Sequence, residues 1–254
     1  MKKLFSNSWR PILVLLLLFI VWEEAVRMFT IETWLLPSPL TIVKEAFLNW
    51  ESFSIHLLST IQLSLFGFII GTIFGLCIAI ILHRIPFLRK SFYPLLILSQ
   101  NIPTIVLAPL LVIWFGFGVL PKLIIIILVC FFPITIACLD GFRQTSPELK
   151  HYMIMSGSSK RQLFWKLEWP FALPSIFSGL KISATYSVMG AVISEWLGAK
   201  QGVGVYMTFA SSSFRTDRVF VAIFAIMFLS LLFFLLIQLL EKCCIKGQRK
   251  DERQ

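Results

Sequence analysis

Six long runs of apolar residues dominate this sequence and restrict what it can fold into. They cover approximately residues 11–30, 57–82, 94–113, 120–139, 172–195 and 219–241. A helix needs about 20 mainly apolar residues to cross the hydrocarbon core of a bilayer, and each run is long enough. With 57% apolar and 14% charged residues, the chain has too little polar surface for a water-soluble fold. The runs therefore predict an all-α integral membrane protein with six transmembrane helices.

The basic residues predict how these helices are oriented. The net charge is +10, with 23 Lys and Arg residues. Sixteen of them lie before the first run, between the second and third, between the fourth and fifth, or after the sixth; six lie on the opposite side, and Lys181 lies within a run. Cytoplasmic loops of membrane proteins carry such an excess of Lys and Arg. We therefore expect both termini in the cytoplasm, and we attribute the charge to topology rather than to a nucleic-acid partner.

The first run has a basic start that could belong to a secretory signal. No small-residue cleavage site follows it, however; the chain continues with Glu23, Glu24 and Arg27. Glu23 and Arg27 are four residues apart, so they can pair on one face of a helix. The sequence therefore predicts an uncleaved first transmembrane helix.

The second and third runs contain features that bear on packing and on a translocation pathway. Gly67, Gly71 and Gly75 recur every four residues, which predicts a helix face that another helix backbone approaches closely. Asn101 and Pro103 interrupt the third run, and prolines there leave backbone carbonyls without partners. Such backbone is tolerated at membrane depth only under protein or beside a water-filled cavity. The interruptions indicate either a bundle that encloses a path or simple kinks in a structural bundle.

Two ionisable residues fall within the fifth run, Lys181 and Glu195. An ionisable group inside a span is a candidate for function because its desolvation is costly. On these boundaries both lie near helix ends, Lys181 towards the cytoplasm and Glu195 towards the outer surface. Direct action on the transported solute, anchoring at the interface and pairing between helices all stay open for both.

The longest cytoplasmic segment, roughly residues 140–171, carries the most information. Pro147 begins a predicted helix, Ser156 to Ser159 break it around Gly157, and an amphipathic stretch runs from Lys160 to Leu167 before the chain re-enters the membrane at Trp169 and Pro170. Apolar side chains are expected on the cytoplasmic surface of this segment: Met153, Met155, Leu163, Phe164 and Trp165. They predict a docking element for a partner, although a helix resting on lipid headgroups fits the pattern as well.

The sequence contains no recognisable catalytic or nucleotide-binding motif. It lacks a Gly-rich phosphate loop ending in Gly-Lys-Ser/Thr and a His-Glu-x-x-His pair, and its three histidines are far apart. We expect no cofactor, metal site or catalytic residue in this chain. An ion-coupled secondary transporter would need broken or charged helices in two matching halves, and an intramembrane enzyme would need a cluster of acids, histidines or metal ligands; neither pattern is evident.

The loop around Gly157 resembles a known signature. Inner-membrane subunits of binding-protein-dependent ABC importers carry Glu-Ala-Ala, three residues, Gly, nine residues, Ile, one residue and Leu-Pro. Here Gly157 is followed by nine residues, then by Leu167 and, at the position of the final proline, Pro170. The Glu-Ala-Ala positions are His151, Tyr152 and Met153, so this sequence lacks the acidic residue that the signature carries at position 151.

Further stretches, over residues 9–240, resemble the nitrate, sulfonate and taurine branch of that family. The segment from Gly190 to Ala199 with Gly202 to Met207 is most similar to permeases for thiamine precursors of the hydroxymethylpyrimidine type. The other matching segments are Leu36-Pro37-Ser38-Pro39, Asn101-Ile102-Pro103, Ala108-Pro109-Leu110, Trp114-Phe115-Gly116-Phe117-Gly118 and Pro170-Phe171-Ala172-Leu173-Pro174 leading to Gly179-Leu180-Lys181.

The resemblance implies a six-helix type I importer permease with cytoplasmic coupling helices, in a bacterial cell membrane. Residues 1–54 would form a first helix and external segment, 55–240 the permease domain, and 241–254 a basic tail. A second permease copy, two cytoplasmic ATPases that bind ATP and Mg²⁺, and an external solute-binding protein would complete the machine. The solute would be a thiamine pyrimidine precursor, with sulfonate or taurine, nitrate and riboflavin as alternatives. The ATPase would contact a loop comprising Glu148, His151, Met155, Gly157, Ser158, Phe164, Leu167 and Pro170.

Overall fold

The protein is all-α over the residues described by the computed structural model, 2–245, with side chains described from Trp9 onward. Eleven helices lie within this part of the chain. The predicted basic tail residues Lys246, Arg249, Lys250 and Arg253 lie outside it. The helices are α1 (Lys2–Met28), α2 (Pro39–Leu48), α3 (Trp50–Arg84), α4 (Pro86–Ser99), α5 (Thr104–Phe115), α6 (Val119–Arg143), α7 (Pro147–Met155), α8 (Lys160–Leu163), α9 (Trp169–Glu195), α10 (Val203–Ser212) and α11 (Thr216–Cys244), with a π-helical turn at Phe164–Glu168 between α8 and α9.

Four of these helical segments are long and apolar enough to cross a membrane: α3, α6, the continuous segment Lys160–Glu195 that contains α9, and α11. The bent pair α4 and α5 would make a fifth span. α1 covers the run predicted as the first span, and the total of six spans stays a prediction.

The third run, 94–113, was predicted as an interrupted span, and in the structure it covers parts of two helices. α4 ends at Ser99, α5 begins at Thr104, and their axes differ by 99°. Pro103 caps the start of α5, where its missing N–H costs nothing, while the residues before it turn away from α4. The Asn101 amide donates to the carbonyl of Ile97 at 2.9 Å and so satisfies one of the free carbonyls at the end of α4.

α3, α6, α9 and α11 form the core of the bundle. The predicted glycine face of α3 is buried against α6: a Cβ on Gly71 would lie 2.8 Å from the Cβ of Cys130, and one on Gly75 would lie 3.2 Å from Ile134. A Cβ on Gly67 would likewise collide with the side chain of Ile126. The prediction of close helix packing is confirmed. The central cluster of buried residues consists of Phe68, Ile126, Cys130, Ile134, Ala184, Val188, Ala191, Leu229 and Phe233.

The predicted pairing of Glu23 with Arg27 is also confirmed. The Arg27 Nε lies 2.9 Å from Glu23 Oε1, and the second carboxylate oxygen of Glu23 accepts the Leu40 N–H at 3.1 Å. Glu23 thereby connects α1 to the start of α2. This short helix and α10 have no counterpart among the predicted spans, since each is ten residues long.

Candidate functional site: the α7–α8 loop and a cavity at the α4–α5 bend

The α7–α8 loop, defined here as residues 147–165 so that it includes the first residues of the π-helical turn, is shaped by residues that favour helix starts. The Ser146 hydroxyl accepts the Leu149 N–H at 3.2 Å, and Pro147 occupies the first turn of α7. The Ser146 hydroxyl also donates to the Glu148 carboxylate, which lowers the pKa of that exposed group. Ser159 and Gln162 form a reciprocal capping box at the start of α8. The two helices predicted around Gly157 are therefore present in the fold.

Gly157 reverses the chain between α7 and α8. Its φ is +77°, a left-handed conformation that residues with a Cβ adopt at a cost. No atom lies within 4 Å of the place where a Cβ would sit. The requirement for glycine at this position therefore comes from the backbone conformation and not from crowding.

The α7–α8 loop exposes part of the apolar surface predicted from sequence. Met155 is 76% exposed, Tyr152 70% and Trp165 52%, while Met153 and Leu163 are half-buried. The expected exposure of Phe164 is wrong, because its ring is 3% exposed and packs against Phe142. The surface consists mainly of α7 side chains and Trp165.

The other residues predicted for this loop divide between surface and interior. Glu148, His151 and Gly157 are exposed, and Ser158 is half-buried. Leu167 lies in the π-helical turn and is buried. Pro170 is half-buried in the first turn of α9.

Glu168 joins three elements beside the loop. This buried carboxylate lies 2.8 Å from Lys150 Nζ on α7 and 2.8 Å from His83 Nε2 near the end of α3. The His83 ring stacks on Phe142 of α6 at a centroid distance of 4.3 Å. Lys150, Glu168 and His83, here called the loop clamp, therefore connect α7 to α3 and to the segment that leads into α9.

Sequence analysis missed the loop clamp. Glu168 is an acidic residue beside a membrane re-entry point in a segment otherwise rich in Lys and Arg, and that isolation is the signal that could have identified it. His83 and Lys150 gave no such signal, because their proximity to Glu168 depends on how α3 and α7 pack.

Asn101 and Pro103 line one cavity of about 460 Å³ at the α4–α5 bend, here called the bend cavity. α6 contributes Phe132 and Pro133 to it, and α9 contributes Tyr186. The cavity thus brings the interruption predicted at Asn101 and Pro103 together with a second proline, Pro133 of α6. Its full lining is Ser99, Gln100, Asn101, Ile102, Pro103, Thr104, Leu107, Leu128, Val129, Phe132, Pro133, Tyr186 and Met189.

Lys181 and Glu195 lie outside the bend cavity and contact other helices. The Lys181 ammonium is 3.0 Å from Glu241 Oε2, which pairs α9 with α11. Of the roles left open from sequence, the structure shows pairing between helices for Lys181.

Glu195 is 1% exposed because α10 folds over it. One carboxylate oxygen accepts the Gly204 N–H at 2.8 Å, and the other accepts the Thr60 hydroxyl at 2.7 Å. The Thr60 oxygen in turn accepts the Val203 N–H at 2.8 Å. Gly202 is in contact with the Glu195 carboxylate, and a Cβ there would collide with it. Glu195 therefore holds the start of α10 against α3 and α9.

Comparisons with known proteins place this architecture in a family. A family model described as the inner membrane component of binding-protein-dependent transport systems matches residues 67–244. The chain belongs to this family. It is therefore the permease component of an ABC importer, a multi-pass inner-membrane protein, as the signature around Gly157 indicated.

Individual relatives agree with the branch predicted from sequence. The formylaminopyrimidine transport permease protein ThiX of Halalkalibacterium halodurans is 35% identical over 99% of this chain and 100% of its own length. The riboflavin transport system permease protein RibX of Chloroflexus aurantiacus is 31% identical over 92% of this chain and 88% of its own. Permeases named for aliphatic sulfonates, taurine and nitrate also match over most of the chain. The predicted resemblance to this branch and to thiamine-precursor permeases is confirmed.

Proposed function

We propose that two copies of this permease form the pathway by which a pyrimidine precursor of thiamine enters a bacterial cell. A pair of separate ATPases binds the α7–α8 loops on the cytoplasmic side, and a solute-binding protein delivers the solute outside. ATP and Mg²⁺ bind to the ATPases, so that this chain holds no cofactor and catalyses no reaction. Closure of the ATPases moves the two permeases between inward-open and outward-open states.

The geometry of the α7–α8 loop supports the ATPase contact. Tyr152, Met155 and Trp165 present apolar area at the surface, which is the composition of a docking site. The loop clamp gives this surface a rigid connection to α3 and α9. Movement of an ATPase bound at α7 would therefore displace the bundle and not only the loop.

The distribution of charge supports the orientation. The α7–α8 loop lies on the side that carries 16 of the 23 basic residues, together with both termini. The Glu195 cluster and α10 lie at the opposite end of α9, on the outer side where the solute-binding protein docks.

The bend cavity supports a second copy. The cavity lining includes the non-helical segment Gln100–Pro103, whose residues are exposed at the surface of the chain. Irregular backbone at membrane depth cannot face lipid, because its polar groups would lack partners. A second permease that closes over this surface would cover the segment and leave a path between the two chains.

The full-length likeness to a formylaminopyrimidine permease is the observation that carries the choice of solute. Riboflavin, which the other relative is named for, is the second candidate, and an aliphatic sulfonate is the third. A binding protein resembling pyrimidine binders, or a thiamine-responsive control element, encoded beside this gene would support the pyrimidine.

Competition for uptake tests which solute the transporter carries. Cells that express the permease with the ATPase and binding protein encoded beside it are given labelled formylaminopyrimidine, with excess unlabelled riboflavin, taurine or nitrate as competitors. We expect the cells to take up the labelled formylaminopyrimidine. Excess unlabelled formylaminopyrimidine should abolish this uptake, whereas riboflavin, taurine and nitrate should leave it unchanged. Absence of formylaminopyrimidine uptake, together with uptake of one of the competitors, would replace the pyrimidine by that solute.

A further inference from the structure

The bend cavity contains polar groups with no partner in the chain. Within residues 9–245, the Gln100 side-chain amide and the Tyr186 hydroxyl make no hydrogen bond. The Asn101 amide nitrogen donates to Ile97, which leaves its side-chain oxygen free to accept. Polar groups at membrane depth are costly unless a partner or water meets them. The cavity therefore offers both donors and acceptors to something that enters it.

We place the bend cavity near the middle of the membrane from the positions of its residues along the long helices. Phe132 and Pro133 are near the centre of α6 (Val119–Arg143), and Tyr186 is well inside α9 (Trp169–Glu195). The bend itself lies 14 residues of helix away from the start of α4 at Pro86, which is about 20 Å at 1.5 Å per residue. Binding sites of many transporters lie at such a depth, where helices are broken.

The chemistry of the lining selects one class of solute. None of the lining residues is charged, so an anion would enter this depth without a counter-charge, at high cost. The Phe132 ring, Pro133 and Met189 supply flat or polarisable apolar surface that suits an aromatic ring. A volume of about 460 Å³ falls in the range of small-molecule sites.

We propose that the bend cavity is a solute-binding site of the permease itself, and that it takes an uncharged, flat, amino-substituted heteroaromatic ring. Gln100 and Tyr186 hydrogen-bond the ring substituents and ring nitrogens, and the Phe132 and Met189 side chains pack on its face. Selection of the solute is then shared between the binding protein and the permease. The choice of ring rests on the function proposed above, whereas the exclusion of anions rests on the uncharged lining alone.

Solute binding in the absence of the binding protein tests the site. The purified permease–ATPase complex is titrated with labelled formylaminopyrimidine in equilibrium dialysis, with an aliphatic sulfonate as competitor. We expect saturable binding that the sulfonate does not displace. Gln100→Leu and Tyr186→Phe should each weaken binding by about threefold to tenfold, the usual effect of one lost hydrogen bond. Gln238→Leu, which removes an amide from α11 outside the cavity, should leave binding unchanged.

The outcomes separate the site from the proposed function. If the complete transporter takes up formylaminopyrimidine but the complex without binding protein does not bind it, or if both cavity variants bind it as the unaltered protein does, the cavity is not the site. If the complete transporter does not take up formylaminopyrimidine at all, the proposed solute is wrong, and the heteroaromatic assignment of the cavity is overturned with it. Displacement by the sulfonate would overturn the exclusion of anions.

Thiol labelling tests whether the cavity belongs to a water-filled path. In a variant with Cys77, Cys243 and Cys244 replaced by Ser, a cysteine introduced by Thr104→Cys should react with a water-soluble thiol reagent, because the thiolate forms only where water reaches it. Formylaminopyrimidine should protect it. Leu231→Cys, on the exposed face of α11, should stay unlabelled. A Thr104→Cys thiol that is unreactive, or reactive without protection, would contradict the proposal.

Discussion

The ammonium of Lys150 and the carboxylate of Glu168 lie 2.8 Å apart and join α7 to the segment that begins α9. Because α7 carries the proposed ATPase surface, loss of this pair should leave the ATPase bound but transmit its movement poorly. We expect Lys150→Met to raise the number of ATP molecules hydrolysed per solute transported severalfold. The measurement is the ratio of ATPase rate to uptake rate in proteoliposomes.

Two controls accompany that prediction. Lys166→Met removes an exposed neighbouring charge that has no ion pair within the described residues, so the ratio should not change. In a double-mutant cycle, Lys150→Met and Glu168→Gln should be non-additive, since they share one interaction. Glu168→Gln also removes the pair with His83 and should lower stability by about 1 to 3 kcal/mol, between the values for exposed and fully buried pairs. Additive effects would show that the two residues act separately.

Gly157 provides a second prediction. Its positive φ costs a residue with a Cβ about 1 to 2 kcal/mol, and the cost is greatest for β-branched residues. Gly157→Val should therefore distort the α7–α8 loop and reduce both ATPase association and uptake, whereas Gly157→Asn should retain most of each. Co-purification of the ATPase with each variant measures ATPase association, and solute uptake is measured in proteoliposomes. If Gly157→Val retained both association and uptake, the docking role of the loop would be wrong.

Thr60 offers a test of how α10 is held. Its hydroxyl donates to Glu195 and accepts the Val203 N–H, so Thr60→Val leaves two buried polar groups unpaired at a cost of about 1 to 3 kcal/mol each. We expect faster hydrogen exchange in α10 and a lower unfolding temperature. Thr60→Ser keeps the hydroxyl and should behave like the unaltered protein. Equal exchange in Thr60→Val and Thr60→Ser would contradict the assignment.

The close contact of α3 with α6 supplies a packing prediction. Gly71→Leu would force side-chain atoms into Cys130 and the backbone of Ile127, and overpacking of this kind costs about 1 to 3 kcal/mol. Ile73→Leu, on the exposed face of the same helix, is the matched control. Thermal unfolding in detergent should show a clearly lower unfolding temperature for Gly71→Leu and an unchanged one for Ile73→Leu.

Much of the fold could be predicted because its signals are local. The apolar runs, the glycine face of α3, the Glu23–Arg27 pair and the break at Gly157 each depend on residues within a few turns of one another. The 99° bend between α4 and α5 was indicated only as an interruption at Pro103, because a proline marks where a helix stops but not the direction in which the chain continues.

The parts that sequence analysis missed depend on tertiary packing. Phe164 was assigned to the surface from its place in an amphipathic stretch, but the π-helical turn rotates it towards Phe142. Glu195 was placed near the outer end of its helix, but nothing in the sequence indicated that α10 folds back over it and buries it. His83 joins Glu168 through the packing of α3 against the segment that precedes α9, which no spacing in the sequence records.

Reconstitution tests the central claim most directly. Uptake of labelled formylaminopyrimidine and ATP hydrolysis are measured in proteoliposomes that contain the permease alone, the permease with its ATPase, or both with the binding protein. The account predicts neither activity for the permease alone and ATP-dependent uptake for the complete set. Uptake by the permease alone, driven by an ion gradient, would contradict it.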